Sequence, residues 1–158
     1  MKKIISMLPL LLIVGCSSPE PINYEETLNY RGGVYYTKDT NQPYSGPIFS
    51  LDKKGRNKKE GILEDGKMIS ETNFEYYETG QKGKEISSYY DKDRMLVLMV
   101  ETRWYKTGQK ESENKDKGNG ESSFTDWYLN GQKKWELKRN KDGKEIIKKW
   151  NEDGSVKE

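Results

Sequence analysis

A turn signal that recurs at short intervals is the feature that most constrains the fold of this chain. Three stretches repeat an aromatic pair followed by Gly-Gln-Lys: FEYYETGQKGKE (74–85), TRWYKTGQKESE (102–113) and TDWYLNGQKKWE (125–136). A second set of turn signals lies at 65–67, 91–93, 118–120 and 142–144. The runs between consecutive signals are therefore roughly 6 to 9 residues long, which suits β-strands and is short for helices.

The runs between the turns alternate apolar and polar residues. Trp135 and Leu137, for example, alternate with Lys134, Glu136 and Lys138. This period of two is typical of an antiparallel strand with one buried face. Only 32% of residues are hydrophobic and 34% are charged, which favours a thin core. The sequence therefore predicts an all-β fold, an elongated antiparallel meander of β-hairpin repeats.

The residues of the repeated turn specify its geometry. Asn130-Gly131 alone would suit a two-residue type I′ turn, which needs positive φ at both positions. The equivalent Thr79-Gly80 and Thr107-Gly108 place a β-branched residue there, which resists positive φ. A three-residue loop, a type I turn followed by a left-handed glycine in a G1 bulge, serves every copy. The predicted structural turn glycines are Gly55, Gly80, Gly108, Gly131 and Gly154.

The first 15 residues have the order of a secretory signal, which predicts a helical signal peptide at the N-terminus. A basic start is followed by an apolar run over 4–14, about half of the ~20 residues that span a bilayer. The run ends in Ile-Val-Gly-Cys (13–16), which resembles the lipobox of bacterial lipoproteins. By that resemblance Cys16 carries a diacylglycerol and an acylated amine, the acyl chains (palmitate among them) anchoring the chain to the outer or cytoplasmic membrane on its exported side. An ordinary signal peptide with a chance cysteine is the alternative.

These features predict three segments. Residues 1–15 are the lipoprotein signal peptide, 16–32 the lipidated tether, and 33–158 the β-hairpin repeat domain. Removal of Lys2 and Lys3 with the signal would reduce the basic residues from 28 to 26, equal to the 26 acidic residues. A neutral chain lacks the positive charge that phosphate binding requires, so nucleic acid is not an expected partner.

The composition argues against an enzyme. The chain contains no histidine and a single cysteine, which removes Ser-His and Cys-His nucleophiles and most zinc sites. The Asp91-x-Asp93 pair does not begin an EF-hand loop, because the sixth position would be Leu96 where glycine is needed. Paired carboxylates could hydrolyse a glycoside, but no acidic residue lies in an apolar stretch. We expect no catalytic residues, no cofactor and no metal site.

The aromatic residues of the repeats are the first binding candidates. Equivalent residues form one row, Tyr76, Trp104, Trp127 and Trp150, and their neighbours form a second, Tyr77, Tyr105 and Tyr128. Adjacent strand residues point to opposite faces, so a one-layer sheet cannot bury both rows. Either the first row is only core, or one row is open to a partner. The candidate partner-binding residues are Tyr77, Tyr105, Tyr128, Trp104, Trp127 and Trp135.

The second candidate is an uninterrupted apolar run, MLVLMV, at 95–100. We expect a strand that is covered on both faces. A strand that awaits pairing at its edge is the alternative.

The copied units resemble the MORN-repeat variant of bacterial YwqK-like proteins, often labelled antitoxins. The resemblance rests on WYLNGQKKWE, WYKTGQKESE and YYETGQKGKE, and on the upstream GGVYYTKDTNQPYSGPIFSL. It implies a meander of β-hairpins that acts as an interaction protein. Aromatic hairpins such as WYLNG are also similar to choline-binding and glucan-binding repeats, although the Gly-Trp that usually begins those repeats is absent.

The leading hypothesis is a membrane-anchored lipoprotein that acts as a non-enzymatic protein-binding module, with an antitoxin- or immunity-like role implied by the resemblance. An exported chain would meet another envelope or exported protein rather than a cytosolic one. The alternatives are binding of cell-wall glycan or phospholipid headgroups through the aromatic rows, and a purely structural spacer.

Overall fold

The structure is a computed structural model that describes residues 19–157. The predicted signal peptide and Cys16 lie outside the described residues. Within residues 19–157, no helix is long and apolar enough to cross a bilayer. The elements in chain order are β1 (Ile22–Asn23), α1 (Tyr24–Thr27), β2 (Leu28–Arg31), β3 (Val34–Thr37), β4 (Gly46–Leu51), β5 (Asn57–Glu64), β6 (Lys67–Tyr76), β7 (Lys82–Tyr90), β8 (Leu96–Trp104), β9 (Lys110–Asp116), β10 (Ser122–Trp127), β11 (Lys133–Arg139) and β12 (Glu145–Lys149).

One long sheet confirms the predicted all-β meander. From β4 to β12 each strand pairs antiparallel with the next strand in the chain, so the spatial order is the sequence order. The remaining strand of the sheet, β1, pairs with β4 and runs parallel to it. Hairpins of this kind need only short connections, which is why the closely spaced turn signals produce this topology.

The repeated turn has the predicted geometry. In the β8–β9 hairpin the Gly108 amide donates to the Tyr105 carbonyl and the Tyr105 amide donates to the Gln109 carbonyl, both at 2.9 Å. The glycine lies at φ +87°, in the left-handed region. This is a type I turn closed by a G1 bulge. All five predicted turn glycines have positive φ: Gly55, Gly80, Gly108, Gly131 and Gly154. The β7–β8 turn has the same hydrogen bonds with Arg94 at the glycine position, at φ +66°.

An amino-terminal cap covers one end of the sheet. It consists of α1 and the antiparallel β2–β3 hairpin, which forms a separate two-stranded sheet. Leu28 of the cap packs with Ile48 and Leu63 of the sheet, and these three are the buried hydrophobic residues of the described chain. Because residues 22–31 form β1, α1 and β2, the ordered domain begins before residue 33, inside the segment assigned to the tether.

The pairing register defines two faces of the sheet. The face that the cap covers, here called the cap face, carries Ile48. Successive Cα partners of Ile48 run to the far end of the sheet through Gly61, Glu71, Ser88, Met99, Asp116, Ser122 and Arg139 to Glu145. Alternate residues on the same strands point to the opposite side, here called the ladder face.

The prediction of a doubly covered strand at 95–100 is wrong. Met95 remains 66% exposed and Val97 43% exposed, and no residue of the run is buried. The alternative of an open edge applies to the first part of the run, because Leu96 and Leu98 pair with β7 while the register with β9 begins only at Met99. The apolar run therefore lies in a one-layer sheet, where no second layer buries its side chains.

Candidate functional site

The tyrosine row connects each repeat to the next one. The Tyr105 hydroxyl donates to the Trp127 carbonyl at 2.9 Å. The equivalent Tyr77 and Tyr128 hydroxyls donate to the carbonyls of Trp104 and Trp150 at 2.7 and 3.1 Å. The same bond therefore occurs three times, always from one repeat to the tryptophan of the following repeat. Each bond joins a tyrosine side chain to the backbone of the next repeat.

The tryptophan row lies on the ladder face beneath lysines. Lys82 Nζ lies 4.6 Å from the centroid of the Trp104 ring, and two further lysine–tryptophan pairs lie at 5.3 and 5.6 Å. Each of these lysines also forms an ion pair with a glutamate three residues later at 2.6–2.9 Å. Such cation–π contacts contribute about 0.5–1 kcal/mol at exposed sites. The three sets are Lys82, Glu85 and Trp104; Lys110, Glu113 and Trp127; and Lys133, Glu136 and Trp150.

Two glutamates of these lysine–glutamate–tryptophan sets have lowered pKa values. For Glu136, a hydrogen bond from Lys133 outweighs the effect of burial and holds the pKa below its usual value. For Glu113, burial alone would raise the pKa, but hydrogen bonds from Lys115 and Lys110 together lower it. Both glutamates are therefore held ionised beside their lysines.

Five of the six predicted partner-binding residues thus make contacts between repeats. Tyr77, Tyr105, Tyr128, Trp104 and Trp127 are all half-buried, neither sealed from solvent nor fully open. Their contacts give the copied units a structural role in the sheet. Partner binding by these five residues stays a prediction.

Replacing Tyr105 by phenylalanine is expected to lower the free energy of unfolding by about 0.5–1.5 kcal/mol, because the Trp127 carbonyl loses its donor. The measurement is urea denaturation followed by circular dichroism. Tyr89→Phe is the matched control, because its side chain is 44% exposed and its hydroxyl has no partner in the described part of the chain. Equal losses of unfolding free energy in both variants would contradict the hydrogen bond from Tyr105 to the Trp127 carbonyl.

The sixth predicted residue, Trp135, lies apart from both rows. It is on the cap face, where its ring packs against Phe124 at a centroid distance of 4.8 Å. Its indole Nε1 donates to Asp126 Oδ2 at 2.9 Å. The cap does not reach this end of the sheet, so the ring is only half-buried.

A groove of about 520 Å³ lies beside Trp135 on the cap face. Its apolar lining combines Trp135 with Leu137 and Ile147, which are direct partners across β11 and β12. Ile147 is 53% exposed. The other lining residues are Tyr128, Lys134, Lys149 and Lys157. We call this set of residues the carboxy-terminal groove.

The sequence predicted Trp135 and Tyr128 of this groove as partner-binding residues. It did not indicate the other groove residues, which are Leu137, Ile147, Lys134, Lys149 and Lys157. The signal that could have found Ile147 is a comparison of equivalent positions between repeats, because this position holds Asn73 and Glu101 in the middle repeats.

A second depression lies on the ladder face near the amino-terminal end, with a volume of about 570 Å³. Pro47, Phe49, Ile62 and Tyr89 contribute to its wall, and Ile62 is 46% exposed. Unlike the carboxy-terminal groove, its wall contains no lysine.

No protein-family model and no curated protein matches this chain.

Proposed function

We propose that this chain is a non-enzymatic module that binds another protein of the bacterial envelope and is held at a membrane through Cys16. An immunity-like role, in which the bound protein is a toxin, would be one form of this activity. The anchor is inferred from the lipobox-like sequence. The binding role is inferred from the surface of the described domain.

The observation that carries the proposal is the imbalance between exposed and buried apolar side chains. Three hydrophobic residues of the described chain are buried, whereas ten large ones are exposed. Scattered exposed hydrophobic residues are ordinary, but grouped ones mark interaction surfaces. The exposed residues here fall into groups, with Ile62 and Tyr89 at the ladder-face depression and Ile147 and Val156 at the carboxy-terminal end.

The same surface favours a protein over a glycan as the ligand. A sugar ring stacks on an open aromatic face, yet the faces of Trp104, Trp127 and Trp150 each have a lysine above them. The exposed groups are mostly aliphatic, and aliphatic surface is buried most effectively by another apolar surface. Glycan or headgroup binding by the aromatic rows is therefore the less favoured alternative.

Site-specific photo-crosslinking in the producing bacterium tests this proposal. A photoreactive phenylalanine analogue replaces Ile62, Leu129 or Ile147 in the full chain, at positions that are 46%, 55% and 53% exposed. We expect irradiation to give a discrete protein adduct from at least one position. Mass spectrometry of the adduct identifies the bound protein, and a toxin would support the immunity-like role.

The Cys16→Ser variant serves as the control for anchoring. We expect it to leave the membrane fraction and to lose most of the adduct, because a diffusing chain meets an anchored partner less often. Absence of a protein adduct from all three positions, at normal expression, would contradict the binding role.

A further inference from the structure

One repeat position on the cap face changes character along the sheet. The residue seven positions before the turn glycine is Ile48 at the amino-terminal end, where the cap buries it to 1% exposure. In the middle repeats the same position holds Asn73 and Glu101. At the carboxy-terminal end it is apolar again, with Phe124 and Ile147. Where the cap covers this face the position is apolar, and in the middle repeats it is polar.

The position four residues after the turn glycine also changes from polar to apolar along the sheet. It holds Lys59, Lys84 and Ser112 in the earlier repeats and Trp135 in the last copied unit. The repeat architecture itself thus tolerates polar residues at these positions. The apolar cluster at the carboxy-terminal end is therefore not required by the hairpins, and its surface remains open, with Ile147 53% exposed.

The charges around this cluster restrict what can cover it. Lys134 and Lys149 line the groove, and neither has a carboxylate within 4.0 Å among the described residues. The nearby acids have other partners: Asp126 accepts from Trp135 Nε1, and Glu145 pairs with Arg139 at 2.5 Å. The groove therefore has an apolar floor and two lysines without a carboxylate partner at its edge. This arrangement is complementary to an apolar side chain that has acidic residues beside it.

The face of β12 is a better docking surface than its edge. On the outer side of β12 the Lys149 carbonyl already accepts from the Lys157 amide at 2.9 Å. The strand has five residues and carries Lys148 and Lys149, which are features that discourage strand pairing. An incoming segment would therefore gain more from the groove than from hydrogen bonds along this edge.

We infer that the carboxy-terminal groove binds an acidic segment of a partner protein, which inserts an aromatic or aliphatic side chain between Trp135 and Ile147 and places carboxylates against Lys134 and Lys149. This inference rests on the proposed function and specifies the chemistry of the partner. The partner segment covers the apolar residues at this end of the cap face, as the cap covers Ile48 at the other end.

A peptide binding experiment with the full chain tests the inference. The probe is a fluorescent ten-residue peptide of alternating leucine and glutamate with one central phenylalanine, and its binding is followed by fluorescence anisotropy. We expect saturable binding that weakens as salt increases. The same peptide with lysine in place of glutamate is expected not to bind.

Two pairs of substitutions in the groove separate its apolar and charged parts. Trp135→Ala with Ile147→Ser is expected to weaken peptide binding by about tenfold or more, because the apolar anchor site is lost. Lys134→Glu with Lys149→Glu is expected to weaken binding by roughly tenfold at low salt and to reverse its salt dependence. Circular dichroism checks that each variant remains folded.

The matched controls lie outside the groove. Lys84→Glu changes the position equivalent to Trp135 in an earlier repeat, and Leu51→Ser removes an exposed apolar residue at the amino-terminal end of the sheet. Neither is expected to change peptide binding. A control that weakens binding as much as the groove variants would overturn the inference.

The remaining outcomes are equally decisive. No binding of the acidic peptide up to millimolar concentration, or binding that the groove variants leave unchanged, would overturn the inference. Vesicles of anionic phospholipid that bind in a groove-dependent manner while the peptide does not would assign the groove to a lipid headgroup. Failure of the groove with a protein adduct still formed at Ile62 or Leu129 would leave the proposed function standing, whereas absence of every adduct would remove the proposed function itself.

Discussion

Replacing Ile48 by alanine is expected to unfold the amino-terminal end of this protein at lower urea concentrations than the rest of the sheet. Ile48 is 1% exposed and is one of three buried hydrophobic residues in the described chain. Truncation of a buried isoleucine to alanine typically costs about 2–5 kcal/mol. The cost falls on the cap, because Ile48 and Leu63 hold Leu28 of the cap against the sheet.

The effect should remain local because most contacts in the meander join neighbouring strands. In such one-dimensional folds, stability is the sum of local units and the contacts between them. The four tryptophans, at 104, 127, 135 and 150, all lie in the carboxy-terminal half of the chain. We therefore expect circular dichroism to report an early transition in the Ile48→Ala variant while tryptophan fluorescence reports a later one.

Ile147→Ala is the matched control for this experiment. The same substitution at a residue that is 53% exposed is expected to change the free energy of unfolding by no more than about 0.5 kcal/mol. Coincident transitions by both probes in the Ile48→Ala variant would contradict the expectation, because they would show that the whole sheet unfolds as one cooperative unit.

Replacing Gly66 by alanine is expected to detach the β2–β3 hairpin from the sheet. Gly66 lies at φ +73° in the β5–β6 turn, and an added Cβ would lie 2.6 Å from the Tyr35 carbonyl oxygen and in contact with Val34. The same glycine donates to the Tyr44 carbonyl and accepts from the Tyr35 amide, both at 2.8 Å. Left-handed strain of about 1–2 kcal/mol and overpacking of about 1–3 kcal/mol together predict a loss of about 2–5 kcal/mol.

Gly143→Ala separates the two contributions. Gly143 has a similar φ of +77°, but no atom lies within 4 Å of an added Cβ. We expect it to show only the backbone strain, about 1–2 kcal/mol, in urea denaturation. If the two variants lost equal stability, the close packing of the hairpin against Gly66 would be refuted.

The hairpins were predictable because the residues that specify each turn lie within a few positions of one another. A glycine at every copy of the turn, preceded by threonine, lysine, asparagine or aspartate, specifies a G1 bulge within five residues. The register then follows from the turn, since a fixed loop determines which residues of the two strands face each other. Long-range information was not needed for this part of the fold.

The cap and the apolar run were not predictable in the same way. Nothing near Leu28 in the sequence shows that it packs against Ile48 and Leu63, so its segment was assigned to a tether. The run at 95–100 has the composition of a buried strand, yet Met95 and Val97 are exposed because no layer lies above them. Composition indicates how apolar a strand is, but only the neighbouring elements determine whether it is covered.

The sequence by itself determined the strand order, the turn type and the two aromatic rows, because turn chemistry and alternation act over a few residues. Only the tertiary structure decided that the tryptophan row lies on the ladder face beneath its lysines, that the tyrosine hydroxyls connect successive repeats, and that the cap covers one end of a face whose other end is bare. These properties depend on residues that are 20 or more positions apart in the chain, such as Tyr105 and Trp127, and meet only through the pairing of the sheet.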